Sequence, residues 1–205
     1  MSHFIWKTTN KDIMEQTLQQ KLEQLGNIFS LMVENYNEFD QVWKNIELGK
    51  EAFRMMMELP DVVEGEFETP QEKASILSNM LDNMEETASA RFCIKVRKEI
   101  ASLDPENRDN MEMLGQLEDF IDARLPMLEY CRKYEKLIKF DPVERTEEWE
   151  EVIYEVEKEC AEILKDEPKG MGFCFAYWST KAAVLKKHGI AWKSPSMMNP
   201  GIHFD

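Results

Sequence analysis

Apolar residues recur at steps of three and four along almost the whole chain, and that rhythm predicts helix nearly everywhere. From Asn10, a suitable cap, one stripe runs through Ile13, Met14, Leu18, Leu22, Leu25, Phe29, Met32, Val33 and Tyr36. This is the pattern of a long helix with one buried face. A second stretch, 37–59, presents Val42, Trp43, Ile46, Phe53, Met56 and Met57 and ends at Pro60, before an acidic loop over 61–68. Thr69-Pro70-Gln71-Glu72 joins a capping hydroxyl, a proline with φ already set and a glutamate placed to close a capping box, so a helix starts there. Its stripe continues through Ile76, Leu77, Met80, Leu81, Met84, Ala88 and Phe92 toward Ile100.

Asp104-Pro105 repeats the cap-then-proline order ahead of Met111, Leu114, Leu117, Phe120, Ile121 and Leu125. Pro126 then divides that helix from a segment bearing Leu128, Cys131, Tyr134, Leu137 and Ile138, because proline cannot continue the hydrogen-bond ladder. Thr146 caps the next helix, 147–165. There Trp149, Val152, Ile153, Val156, Cys160, Ile163 and Leu164 face inward, while Glu148, Glu151, Glu155, Glu159 and Glu162 line the outside. Pro168, Gly170 and Gly172 break the chain before a short apolar helix over 173–188, which Gly189 stops. Residues 190–205 lack helical periodicity. They are expected to form an extended strap over 189–205, anchored by Trp192, Ile202 and Phe204. The expectation is an all-α fold: a single-domain helical bundle of about six to eight helices over 1–205, with 60–69 as the candidate loop boundary.

Charge sharpens this picture. The 205 residues carry a net charge of −15, yet 169–205 hold five lysines against one acid, Asp205, a local +4 on a body of −19. Acidity of this size argues against nucleic acid or an anionic membrane as partner, since phosphates are bound by clustered Lys and Arg. It fits a basic protein partner or simple solubility, the commoner reason for an acidic surface. Residues 1–7 lack the apolar stretch of a signal peptide, and no run approaches the ~18–20 apolar residues of a membrane span. Cys93, Cys131, Cys160 and Cys174 form no C-x-x-C pair, so reduced thiols and a cytoplasmic setting are expected.

Candidate chemistry is sparse. The 148–162 glutamate stripe lies opposite the apolar face and has no Glu-x-x-His partner, so it reads as a solvated face and no metal is expected there. Glu147/Glu150 matches one half of the paired acidic motif of helical nucleotide pyrophosphohydrolases, but Glu118, Asp119 and Asp122 only approximate the other. No nucleophile elbow is present, Cys174 sits among aromatics, and Gly170-x-Gly172 lacks a third glycine and a preceding strand. Catalytic residues and cofactors are therefore expected to be none. The remaining candidate is an aromatic, mildly basic pocket under the strap, lined by Tyr177, Trp178, Lys181, His188 and Trp192 and suited to an anionic ligand. Lys181 is also placed to pair with a carboxylate of the body.

The ending G-I-x-W-x-S-P-x-x-M-N-P-x-x-x-F-D, carried by Gly189 to Asp205, resembles the close of a group of uncharacterised bacterial helical proteins. The resemblance covers about the last fifth of the chain and implies a bacterial source and a structured C-terminus, with no activity attached. Two functions remain. The first is a cytosolic acidic interaction protein that binds or inhibits a basic macromolecule, of which a bacterial immunity protein against a nuclease-type toxin is one instance. The second is a small-molecule enzyme or ligand-binding protein that uses the pocket under the strap.

Overall fold

The computed structural model describes residues 10–38 and 40–204, with side chains from Thr17 onward. Helix α1 spans Asn10–Asn37, α2 Asn45–Met57, α3 Pro70–Asp82, α4 Ala90–Leu103 and α5 Arg108–Ile121. After these come α6 over Met127–Lys133, α7 over Glu147–Ile163, α8 over Phe173–Lys187 and the one-turn α9 over Pro195–Met198. The fold is all-α: among the described residues the only β pairing is an isolated antiparallel bridge between Val63 and Phe67.

Several boundaries follow the sequence because local chemistry fixes them. Thr69 is extended and its hydroxyl accepts the Glu72 N–H, with Pro70 behind it. Thr146 accepts the Trp149 N–H in the same way, and Gly189 takes φ +80° just beyond α8.

Other boundaries depart from the pattern. The stretch 37–59 is broken, because Asp40 adopts a left-handed φ of 63° and a 3-10 turn, Val42–Lys44, precedes α2. The stripe from Pro70 toward Ile100 is cut after Asp82, and a second 3-10 turn, Glu86–Ser89, leads into α4. Asp104 closes α4, its N–H donating to Ile100 O at 2.8 Å, and does not cap the start of α5. Asn107 does, accepting the Asn110 N–H at 2.9 Å, so α5 begins three residues after Pro105. The strap is not wholly extended, since Ser194 and Pro195 start α9.

Two buried apolar clusters form. The larger gathers Met32 of α1, Phe53 and Met56 of α2, Leu77 of α3, Val96 and Ile100 of α4, and Phe120 of α5. The second joins Trp149, Ile153 and Val156 of α7 to Val184 and Leu185 of α8, with Ile46 and Ile190. Buried Asn45 ties the end of α1 to that of α3 by donating to Met32 O at 2.8 Å and Asn83 O at 2.7 Å.

Not every apolar position is inward. Val33, Tyr36 and Ile163 are exposed, while the inward assignments of Ile13 and Met14 lie outside the described side chains. On α7, Glu148, Glu151, Glu155 and Glu162 are exposed as the pattern requires, and Glu159 is half-exposed beside Lys187.

Candidate functional site

Tyr177 and Lys181 lie one turn apart on α8 and face Glu157 on α7. The Lys181 ammonium donates to Glu157 Oε1 at 2.6 Å and to the Tyr177 hydroxyl oxygen at 3.3 Å. The Tyr177 hydroxyl donates to the same carboxylate, lying 2.6 and 2.7 Å from its two oxygens. Three rings surround the ammonium, with centroids at 5.1 Å for Trp149, 5.5 Å for Tyr177 and 5.5 Å for Trp192. Negative ring faces and a carboxylate together hold a half-buried cation whose desolvation would otherwise be costly. Trp192 is fixed by its indole N–H, which donates to Glu144 Oε1 at 2.7 Å.

Beside this ion pair lies a cavity of about 90 Å³, between the 3-10 turns and the α7–α8 pair. Four carboxylates line it, Asp40, Glu85, Glu144 and Glu157, with Lys181 as the one basic residue, a formal balance of 1 − 4 = −3. Burial pushes the carboxyls of Asp40 and Glu144 upward, against the opposing pull of Lys169 on the first and of the Trp192 N–H on the second. Glu85 is also pushed up by the protein around it, more than the Lys181 charge pulls it down. It sits at the mouth with exposed area, so water tempers that shift. No hydrogen bond from the described residues reaches the Glu85 carboxylate. Tyr177 is raised well above its ordinary value by burial, then by the neighbouring Glu157 charge. Of the four, Glu85 is the carboxylate with no hydrogen-bond donor or ion-pair partner among the described residues, and a cation is the species that would relieve it.

Of the five residues singled out in the sequence, Tyr177, Lys181 and Trp192 come together. Trp178 and His188 do not join them. Trp178 packs edge-on against Phe204 and Phe175, with centroids 5.1 and 5.5 Å apart, and His188 is exposed at the end of α8. Two corrections follow. The cavity is acidic where a mildly basic lining was expected, and it lies among the 3-10 turns and α7, with only Trp192 of the strap touching its ion pair.

The acids were missed because Asp40, Glu85 and Glu144 sit in connecting segments with no periodicity to orient them. Glu157 did carry a signal: it follows Ile153 by four residues and so belongs to the inward arc of α7. Glu150 is a structural cap for α4, and Glu147 is exposed, so the pyrophosphohydrolase pairing finds no counterpart. Among the described residues no group of His, Cys, Asp and Glu is arranged to hold a metal ion, and no helix is long and apolar enough to cross a membrane.

No protein-family model, curated protein or solved structure matches the chain.

Proposed function

We propose that the protein recognises a basic protein by taking the cationic tip of a lysine or arginine side chain into the acidic cavity. The observation that carries this reading is the excess of carboxylates over Lys181 around one enclosed space. Size favours a side chain over a whole metabolite. About 90 Å³ is well below the ~300–1,000 Å³ of sites that engulf drug-sized ligands. The rest of the partner would lie outside, on a body whose net charge of −15 speeds the approach of a basic surface. Inhibition of a basic enzyme, as by an immunity protein acting against a nuclease-type toxin, is one form of this reading. A cytoplasmic setting accords with four free cysteines, three of them buried.

The test is titration of the full chain with N-acetyl-argininamide, followed by NMR of the tryptophan indole protons, for the wild type and for Glu85→Gln and Asp40→Asn. Each substitution changes the net charge by only one in fifteen, so diffuse attraction to an acidic surface would be almost unaffected. Site binding should weaken severalfold in both variants. Binding that is absent, or indifferent to both substitutions, would overturn the proposal.

A further inference from the structure

A groove of about 500 Å³ adjoins the acidic cavity, and the two share Asp40 and Trp43. Its charge is reversed. Lys44, Lys158, Lys165 and Lys169 line it with two acids, Asp40 and Glu162, a balance of 4 − 2 = +2 in a protein of net −15. Lysine is common near helix C-termini, where the dipole favours it. That accounts for Lys165, but not for Lys44 in a 3-10 turn or for Lys158 well inside α7.

The lysines differ in how far they are neutralised. Lys165 pairs with Glu162 at 2.6 Å and Lys169 lies 3.9 Å from Asp40. Lys158 reaches exposed Glu155 at 3.3 Å, outside the groove lining. Lys44 has the Trp43 ring, 5.9 Å away, and no carboxylate partner among the described residues. The indole N–H of Trp43 is buried with no acceptor. A buried donor left unpaired is costly and selects for an acceptor brought by a ligand. Excess lysine charge on the groove calls for an oxygen anion, and the unpaired N–H belongs to Trp43, which lines both spaces.

We infer that this groove binds a carboxylate borne by the same ligand whose cation enters the cavity. The recognised element is then a basic side chain with a carboxylate beside it, as at a chain ending in arginine or lysine. The inference rests on the cation-binding reading above. It adds that Lys44, Lys158 and Trp43 discriminate between a free carboxylate and its amide. A zwitterionic element also suits a strongly acidic protein better than a free anion does, because the body repels net negative charge.

The experiment compares N-acetyl-arginine, N-acetyl-argininamide and acetate on the full chain by NMR titration, for the wild type, Lys44→Gln/Lys158→Gln and Trp43→Phe, with thermal melts to establish that each variant folds. N-acetyl-arginine should bind about fivefold more tightly than its amide, the scale set by one or two exposed charge contacts. Both variants should shrink that ratio toward one; the lysine variant should also leave the amide's affinity unchanged, whereas Trp43 lines both spaces, so only the ratio is read for its variant. Equal binding of acid and amide by the wild type would overturn the groove inference and leave the cavity reading intact. So would a ratio that survives both variants, or acetate binding as tightly as N-acetyl-arginine. Failure of every arginine derivative to bind would remove the cavity reading and this inference with it.

Discussion

Glu150 on α7 caps the start of α4 by reaching Arg91, 59 residues earlier in the chain. Its Oε2 accepts the Arg91 backbone N–H at 3.0 Å and contacts the guanidinium at 3.4 Å, while Oε1 accepts the Phe92 N–H at 3.0 Å. The first N–H groups of a helix have no partner within it, and Ser89, at the cap position, gives them no side-chain acceptor, its hydroxyl lying against Cys93 Sγ instead. A carboxylate from the second cluster therefore completes a helix of the first. Glu150→Ala should cost about 1–2 kcal/mol, the usual worth of a cap, read as a lower denaturant midpoint. Glu150→Gln keeps one acceptor and should lose less. Equal stability of wild type and alanine variant would refute the role.

Arg145 performs the complementary task at the other end of a helix. Its guanidinium donates to the carbonyls of Asp119 at 2.9 Å, Asp122 at 2.7 Å and Leu125 at 2.8 Å, and also to that of Phe120. These oxygens lie at the end of α5 and in the turn beyond it, where carbonyls otherwise lack donors. Arg145→Ala should destabilise the protein by about 3 kcal/mol, because several acceptors lose their donor together. Arg145→Lys should rescue little, since a point ammonium cannot span the positions that a planar fork reaches. A lysine variant as stable as wild type in urea melts would show the fork geometry to be dispensable.

These two residues mark how far the sequence could be read. Thr69-Pro70, Thr146 and Gly189 act within a few residues of themselves, so their helix boundaries were legible. The starts of α4 and α5 depend on Glu150 and Asn107, and Glu150 acts from another helix. The site divides in the same way. Tyr177, Lys181 and Trp192 stood out as aromatics and a lysine near one helix, whereas Asp40, Glu85 and Glu144 reach the cavity from separate connecting segments. A local pattern carries no information about which loops meet, so the sign of the site's charge was misread. Glu157 alone was recoverable, as an acid on an apolar arc.

Opposed carboxyl shifts give the protein a defined pH response. Asp40, Glu85 and Glu144 are raised above ordinary values of 3.8, 4.5 and 4.5. Such groups hold protons more tightly when folded. Their stabilising contribution is complete below the ordinary value and is lost as pH rises through the raised one. Glu51, Glu58, Asp119 and Asp122 are lowered by hydrogen bonds from Arg54, Lys21, Lys133 and Arg124 respectively. Their contribution is present above the ordinary value and is lost as pH falls through the lowered one. The melting temperature should therefore rise from pH 7 toward about pH 5 and fall again below about pH 4. Glu85→Gln should raise the melting temperature at pH 7 by no more than about 2 °C, because Glu85 keeps exposed area. A variant that melts lower at pH 7, or a wild type that melts lower at pH 5 than at pH 7, would contradict this account.

The C-terminal segment should prove integral through polar anchors more than through its aromatics. Trp178, Trp192 and Phe204 are half-buried, short of the burial expected of core anchors, and Ile202 is exposed. Truncating Trp192 should thus cost less than the ~3–5 kcal/mol of a fully buried aromatic. Buried Asn199 does what a paired strand would do. Its Oδ1 accepts the Lys139 N–H at 2.9 Å, and its Nδ2 donates to the Lys139 carbonyl at 2.8 Å. Lys193 adds a backbone N–H to Asp141 Oδ2 at 2.7 Å, and Trp192 holds Glu144. Three contacts therefore pin the strap to residues 139–144, the segment that also carries Glu144 to the cavity. Asn199→Ala should cost about 1–3 kcal/mol, as expected when buried partners are left unpaired. Asn199→Asp keeps the acceptor, loses the donor and places a charge beside the Lys139 carbonyl, so it should be no better tolerated. Deleting 189–205 should lower the melting temperature further and also weaken N-acetyl-argininamide binding, because Glu144 loses the Trp192 N–H and Lys181 loses one of its three rings. A deletion variant that melts and binds like the full chain would show that the segment neither supports the fold nor shapes the site.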